Sequence, residues 1–146
     1  MNHYTKFEMA VELLKEANVE GRATQDDLPK LSMCPKSFIH EFCIVRVDSG
    51  RRAGKTEYIK SRIEKERKSL AIVMSGFFML KAYDMHPRVA TIALLMTTEF
   101  LRGRSPDFVY VDEPSQCFKN TAEMLDVFEY ITNYTHKQPT FVLLGH

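Results

Sequence analysis

The 146-residue sequence has few cysteines, and their number and spacing argue against a disulfide-bonded framework and a cysteine-based zinc site. The three cysteines, Cys34, Cys43 and Cys117, are an odd number with no close pairing. No two of them are separated by only two to four residues, which is the usual separation of paired zinc-binding cysteines. We therefore expect free thiols, as in proteins of a reducing compartment.

The sequence also lacks an excess of charge of one sign and any long hydrophobic run. Its 20 lysines and arginines are balanced by 19 aspartates and glutamates, so the net charge gives no overall electrostatic argument for a nucleic acid or a membrane surface. No apolar run approaches the length of about 18 residues that a membrane-spanning helix needs. The first residues lack the basic start and apolar stretch of a signal peptide. We expect a cytoplasmic protein without membrane contacts, in the host cytoplasm if it is viral.

What the sequence does contain is the composition of one globular domain, with 45% hydrophobic and 27% charged residues. From residue 41 onward, short apolar runs alternate with segments of helical periodicity. The runs predicted as strands are 42–47, 69–75, 88–96, 108–111 and 140–145, of which 88–96 is ambiguous and is interpreted as a strand. Helices are predicted over 55–68, 76–85 and 120–135, with a further turn of helix after 97–98.

Fully apolar short strands that alternate with helices are typical of a parallel sheet covered on both faces. The predicted fold class is therefore α/β: a three-layer sandwich with a mostly parallel, five-stranded sheet and helices on both faces. Residues 1–40 are predicted to be a helical N-terminal prefix and connection, and residues 41–146 the core. In the prefix, Thr5 can cap a helix that Gly21 ends, and residues 22–36 are polar and contain two prolines.

The turn after the first predicted strand carries the most specific chemical motif. It consists of Ser49-Gly50-Arg51-Arg52-Ala53-Gly54-Lys55-Thr56. The phosphate-loop pattern is Gly, four residues, Gly-Lys and then Ser or Thr, and only Ser49 departs from it. Small residues let backbone N–H groups converge on a phosphate, and the following helix directs its positive end to the same point. The Lys55 ammonium can reach the outer phosphates and the Thr56 hydroxyl can bind Mg²⁺.

A second motif follows the apolar run 108–111, which ends in Asp112 and Glu113. In NTPases an aspartate at such a strand end holds Mg²⁺, directly or through water. The adjacent glutamate is suitably placed to polarise an attacking water. Two neighbouring acids on their own are more often a solvated turn, but their position downstream of a phosphate loop favours the functional interpretation.

The segments SGRRAGKT (49–56), FVYVDE (108–113) and FVLLGH (141–146) resemble those of P-loop NTPases of the additional-strand, catalytic-glutamate class. The arginine-rich loop, together with LRGRSPDFVYVDEP (101–114), is most similar to the ATPase domains of phage terminase large subunits and related helicases. The resemblance covers roughly residues 41–146 and implies a P-loop NTPase sheet. The sequence does not contain the further strands and second domain of those proteins, so we expect a minimal or truncated ATPase or one completed by a partner.

The resemblance also implies roles for the motif residues. Lys55 and Thr56 correspond to phosphate and Mg²⁺ ligands, Asp112 to the Mg²⁺-associated carboxylate, and Glu113 to the catalytic base. Lys55 thus belongs both to the nucleotide-binding loop and to the catalytic residues.

Three further residues are assigned more loosely. Arg51 or Arg52 matches loop arginines that act on the γ-phosphate in terminases. His146 stands just after the last strand, where this class often has a polar γ-phosphate sensor, and a frayed terminus is an equally good interpretation.

The expected function is Mg²⁺-dependent binding and hydrolysis of ATP in a DNA-packaging (terminase-like) or helicase-like motor domain of viral or phage type. Expected partners are DNA and a homo-oligomer or partner subunit that supplies an arginine finger. ATP is preferred to GTP because the sequence has no guanine-binding Asn-Lys-x-Asp segment. The alternative is a nucleotide-gated binding or assembly module with little hydrolysis. A phosphotransferase is disfavoured because an Asp-Glu pair suits water activation.

A few other residues attract attention without forming a pattern. Tyr83, His86 and His136 have no partners at informative spacing and are interpreted as structural. Cys117 follows the acidic motif closely and is expected to line the site without reacting in it.

Overall fold

A five-stranded, all-parallel sheet forms the centre of the protein. The computed structural model describes residues 3–24, 34–48 and 54–146. The strands are β1 (Ile44–Val47), β2 (Ser69–Ile72), β3 (Val89–Ala90), β4 (Phe108–Asp112) and β5 (Thr140–Leu144). They lie in the order β1-β5-β4-β2-β3, and all four neighbouring pairs are parallel. The prediction of an α/β protein with a five-stranded parallel sheet is confirmed.

Helices within the described residues connect the strands and cover the sheet. They are α1 (His3–Thr24), α2 (Pro35–Phe42), α3 (Lys55–Lys65), α4 (Phe77–Ala82), α5 (Ile92–Leu95), α6 (Thr98–Leu101), α7 (Pro114–Cys117) and α8 (Thr121–Thr135). The start of α8 is fixed by Asn120, whose side chain accepts a hydrogen bond from the Glu123 amide at 2.8 Å. None of the helices in the described part of the chain combines the length and apolarity needed to cross a lipid bilayer.

The central strands are apolar on both faces because helices bury both faces. All residues of β2 and β5 are buried. Along β4, Val109 and Val111 enter one core cluster whereas Tyr110 between them enters the other, as the two-residue period of a strand requires. Burial of both faces explains why the apolar runs in the sequence contain no alternation of polar and apolar residues.

One face of the sheet packs against α2 and α8, where Phe38, Phe128 and Ile131 are buried with Phe141 of β5. The rings of Phe128 and Phe141 are stacked with their centroids 3.9 Å apart. The other face packs against α1 and α3 through a cluster whose buried side chains include Phe7, Val11, Tyr58 and Ile59. Helices thus lie on both sides of the sheet, which is consistent with a three-layer sandwich.

Helix α1 is longer than predicted and packs directly against the sheet. The expected helix from Thr5 to Gly21 is present, but it extends from His3 to Thr24. Residues 25–33 of the predicted connection lie outside the described part, and residues 35–36 begin α2 rather than continuing a loop. The division of the chain at residue 40 stays a prediction.

Several predicted strand boundaries are wrong. The run 69–75 forms a strand only over Ser69–Ile72. The run 88–96 contains only the short strand β3, and its second half is helix α5. Thr91 explains the change, because its side-chain oxygen accepts a hydrogen bond from the Leu94 amide and so caps a helical turn. The first strand starts at Ile44 rather than at residue 42, because Phe42 is the last residue of α2.

Candidate functional site

The predicted motifs meet where β1, β4 and β5 end. In a parallel sheet, all carboxyl ends lie at the same edge, and ligands of α/β proteins bind there. Helix α3 begins at this edge, and the acidic pair follows β4. Of the predicted loop, Ser49, Gly50, Arg51, Arg52 and Ala53 lie outside the described residues, so their predicted roles stay predictions.

The described end of the loop is Gly54, which has a positive φ of 88° and precedes the first turn of α3. Only glycine adopts this conformation without strain. A β-carbon at this position would also lie 2.4 Å from Cδ2 of Tyr4 on α1, so the ring of Tyr4 packs closely against the backbone here. Lys55 and Thr56 are the first two residues of α3, where unpaired N–H groups and the helix dipole favour an anion.

Asp112 is a buried carboxylate that faces the start of α3. It is 4% exposed, and its Oδ2 accepts hydrogen bonds from the Thr56 hydroxyl at 3.3 Å and from the Tyr83 hydroxyl at 2.6 Å. Burial is the largest influence on the pKa of Asp112 and raises it, while these two hydrogen bonds oppose the rise. The arrangement connects the last residue of β4 to the first turn of α3.

Glu113 adopts an unusual backbone conformation and lies beside the predicted phosphate-binding lysine. Its φ of 55° is in the left-handed region, which a non-glycine residue rarely adopts. Its Oε1 lies 2.6 Å from Lys55 Nζ, and its Oε2 accepts a hydrogen bond from the His146 amide at 3.2 Å. Strained backbone of this kind is common at functional sites, where the surrounding structure holds it in place.

Gly145, directly after β5, leaves the space that the Glu113 carboxylate occupies. A β-carbon at this position would lie 2.5 Å from Glu113 Oε2, and the backbone has a φ of 99°. Both the close approach and the positive φ require glycine. The residue belongs to the motif FVLLGH, in which no role is predicted for it, although a glycine directly after a buried strand is itself a signal of close approach.

His146 borders the site mainly through its backbone. Its carbonyl accepts a hydrogen bond from the Ser115 amide at 2.6 Å, in addition to the bond from its own amide to Glu113. Its imidazole is largely exposed, with Nδ1 3.1 Å from Oδ2 of Asp48. The imidazole thus lies at the rim, and its role as a sensor stays a prediction.

Tyr83 is a site residue that the sequence analysis missed. It was interpreted as a structural tyrosine without a partner, yet its hydroxyl contacts Asp112. The two residues are 29 positions apart in the sequence and no local motif includes both, so only the fold reveals the contact.

Cys117 lies next to the acidic pair, with Sγ 3.4 Å from the backbone oxygen of Asp112. Burial, together with the charges of Asp112 and Glu113, raises the pKa of the thiol to about 12. A thiol with such a pKa is a poor nucleophile near neutral pH, which agrees with its expected role as a lining residue.

The oxygen atoms at this edge suit a hard cation. Among the described residues, no group of three or more His, Cys, Asp or Glu side chains is arranged to hold a metal ion by itself. Mg²⁺, however, usually binds through one or two protein oxygens together with phosphates and water. The adjacent Thr56 hydroxyl and buried Asp112 carboxylate provide oxygens of this kind, so the residues fit Mg²⁺.

Comparison of the chain with protein-family models, with curated proteins and with solved structures gave no match.

Proposed function

We propose that the protein is a Mg²⁺-dependent ATPase of the P-loop type. The observation that carries the proposal is the pairing of two motifs far apart in the sequence. Thr56 lies 3.3 Å from Asp112, and Lys55 lies 2.6 Å from Glu113. Lysine and threonine at a helix N-terminus, facing two carboxylates at the end of a strand, are the groups that phosphoryl transfer to water requires.

Each residue has a distinct role in this proposal. The α3 N-terminus and Lys55 would bind the outer phosphates, and Thr56 and Asp112 would hold Mg²⁺. A bound Mg²⁺ would neutralise charge on the β- and γ-phosphates. Glu113 orients and polarises the attacking water as a general base. The strand order, with β5 between β1 and β4, is compatible with the additional-strand class.

The ion pair between Lys55 and Glu113 has a consequence for the order of events. A triphosphate that reaches Lys55 competes with the Glu113 carboxylate for the same ammonium group. We expect nucleotide binding to release Glu113 from Lys55, which frees the carboxylate to act on water. The base therefore becomes available only after the substrate has bound.

The choice of nucleotide and of biological context rests on the sequence. ATP is the proposed nucleotide because no guanine-binding segment occurs, and a terminase-like or helicase-like motor acting on DNA is the proposed context. The predicted loop arginines, Arg51 and Arg52, act on the γ-phosphate in this proposal. A neighbouring subunit that contributes an arginine finger would raise a low basal rate.

Phosphate release from the purified protein tests the proposal. We expect a Mg²⁺-dependent rate that Lys55→Ala reduces together with ATP affinity. Glu113→Gln should lower the rate by about 100-fold or more while ATP still binds, because it removes the base and leaves the phosphate contacts. Lys119→Ala, at an exposed lysine two residues after the end of α7, is the control and should behave as wild type. Unchanged rates in both site variants would refute the assignment.

A second candidate, a nucleotide-gated binding module with little hydrolysis, is supported by the contacts of Glu113. This carboxylate already pairs with Lys55 and accepts a hydrogen bond from the His146 amide. A base held in this way activates water poorly. The same assay separates the candidates, because the module binds ATP but shows no difference in turnover between wild type and Glu113→Gln.

A further inference from the structure

The hydroxyl of Tyr83 makes a short hydrogen bond to the buried acid of the candidate site. Tyr83 is 2% exposed, and its hydroxyl donates to Asp112 Oδ2 at 2.6 Å. The Thr56 hydroxyl donates to the same oxygen at 3.3 Å. Asp112 is thus held from two sides, by the first turn of α3 and by the segment between α4 and β3.

The backbone around Tyr83 holds the ring in a defined place. Tyr83 follows α4, and the next residues, Asp84 and Met85, have positive φ angles of 57° and 51°. The Met85 amide donates to the Leu80 carbonyl at 2.9 Å, and the His86 amide donates to the Tyr83 carbonyl at 3.1 Å. Two successive non-glycine residues in the left-handed region cost free energy, so the surrounding contacts must fix this turn.

Packing alone does not require the hydroxyl of Tyr83. Its ring lies in the core cluster that also contains Val73 and Val89, where a phenylalanine ring would pack equally well. A buried phenol needs a hydrogen-bond partner, and this one bonds to a carboxylate rather than to a backbone carbonyl. Hydrogen bonds to a charged acceptor are stronger and more directional than neutral ones.

We propose that Tyr83 is a positioning residue that orients Asp112 for Mg²⁺, an inference that rests on the proposed function. The hydroxyl fixes the Asp112 carboxylate next to Thr56, so the two groups that would hold the metal are already oriented without it. Residues that hydrogen-bond to metal ligands without binding the metal themselves commonly have this role. The hydroxyl of Tyr83 bonds to the two proposed Mg²⁺ ligands, Asp112 and Thr56, so we expect Mg²⁺ binding to depend on it more than phosphate binding does.

Tyr83→Phe tests the inference, because it removes only the hydroxyl and keeps the ring. ATP binding is measured by calorimetry, first with EDTA and then over a range of Mg²⁺ concentrations. We expect the Mg²⁺ concentration for half-maximal enhancement of binding to rise about 10- to 100-fold. The affinity for ATP in EDTA should stay within about twofold of wild type, because the phosphate contacts are unchanged.

Tyr110→Phe is the matched control. Tyr110 is also a buried tyrosine in the same core cluster, but its hydroxyl bonds to Lys15 and Glu66 rather than to the site. Its loss should leave the Mg²⁺ dependence unchanged, even if the free energy of unfolding decreases. A second test combines Tyr83→Phe with Asp112→Asn, and the tyrosine substitution should have no further effect on Mg²⁺ dependence in that background.

Two results would overturn the role of Tyr83 and leave the proposed function intact. In one, wild type binds Mg²⁺-ATP and Tyr83→Phe has the same Mg²⁺ dependence. In the other, Tyr83→Phe weakens binding equally with and without Mg²⁺, which indicates a purely structural role. A wild-type protein that binds no nucleotide at any Mg²⁺ concentration would instead overturn the proposed function, and the role of Tyr83 with it.

Discussion

Asp112 and Glu113 are adjacent in the sequence, but the fold gives their carboxylates different surroundings. Asp112 is buried and bonds to two hydroxyls, those of Thr56 and Tyr83. Glu113 turns away through its left-handed backbone and meets a cation, Lys55, and a backbone amide. Neutral hydroxyl partners suit an acid that would bind a metal, whereas a displaceable ion pair suits an acid that must be free of its cation to act. The different contacts are thus compatible with the two roles proposed for the neighbouring acids.

Gly145 is the residue on which the position of the Glu113 carboxylate depends. In Gly145→Ala, the new β-carbon would lie 2.5 Å from Glu113 Oε2, which is too close for an unstrained contact. The carboxylate must therefore shift, and it can do so because it ends a flexible side chain. We expect the rate of phosphate release to fall about 10- to 100-fold, since displacing a catalytic group by about 1 Å has effects of this size. ATP affinity should change little. Single-turnover measurements with saturating ATP provide the check.

Gly103→Ala is the control for backbone strain in this experiment. Gly103 also has a positive φ, of 72°, but a β-carbon there meets nothing within 4 Å. Both substitutions introduce left-handed strain, and only Gly145→Ala displaces the carboxylate. Equal turnover in the two variants would show that Glu113 is not the group that limits hydrolysis.

At the scale of elements, α1 is fixed to the sheet by charge as well as by apolar contacts. Lys15, in the middle of α1, is 3% exposed, and its ammonium bonds to Glu12 at 2.8 Å, Glu66 at 3.0 Å and the Tyr110 hydroxyl at 2.6 Å. The same ammonium lies 4.3 Å from the centroid of the Phe108 ring. Together with the Tyr58 hydroxyl at 3.3 Å, these partners satisfy a cation that would otherwise be costly to bury.

Lys15→Met should destabilise the protein substantially. The substitution keeps much of the side-chain volume but leaves Glu66 and the Tyr110 hydroxyl without their cation, whereas Glu12 keeps Arg62 at 3.2 Å. We expect a loss of about 3 kcal/mol in the free energy of unfolding, at the low end for breaking a buried ion pair. The low end applies because the Glu12 and Glu66 side chains remain 34% and 25% exposed.

Urea unfolding followed by circular dichroism measures this loss, with Lys6→Met, an exposed position of the same helix, as the control. The control should stay within about 0.5 kcal/mol of wild type. A Lys15→Met protein as stable as the control would mean that apolar packing alone holds α1 on the sheet.

The elements differ in how well the sequence predicts them. The acidic strand was expected over 108–111 and observed over Phe108–Asp112, because a short apolar run between polar segments has one favourable placement in a covered sheet. The prediction of a strand over 88–96 is wrong because periodicity cannot distinguish a short buried strand from a buried turn of helix. The cap that Thr91 provides favours the helical turn in the second half of this run. Boundaries that depend on one hydrogen bond cannot be read from apolar patterning.

Within the site, the residues in local motifs were predictable and the others were not. Lys55, Thr56, Asp112 and Glu113 each belong to a short motif from which a chemical role can be predicted, and the fold brings them together. Tyr83 reaches the site from a segment with no motif, so its role depends on tertiary structure alone. The sequence can specify which chemistry a local segment supports, but not which distant side chain completes it.

At the scale of the whole molecule, the candidate site exists only when the sheet is assembled. Its residues come from the start of α3, the end of α4, and the segments after β4 and β5, which are far apart in the sequence. β4 and β5 are paired along their whole length, with Asp112 opposite Leu144, which sets the Glu113 carboxylate beside Gly145. A ligand that binds all these segments therefore binds the folded chain and not the unfolded one.

Mg²⁺-ATP should accordingly stabilise the folded protein by mass action. At a free ligand concentration of about 100 times Kd, the free energy of unfolding should rise by about 2.7 kcal/mol, and the thermal midpoint should rise with it. Non-hydrolysable ATP analogue with Mg²⁺ avoids depletion of the ligand during the temperature ramp. Lys55→Ala should show no rise, because it removes the main cationic contact to the phosphates. Equal shifts in wild type and Lys55→Ala would place nucleotide binding away from the α3 N-terminus.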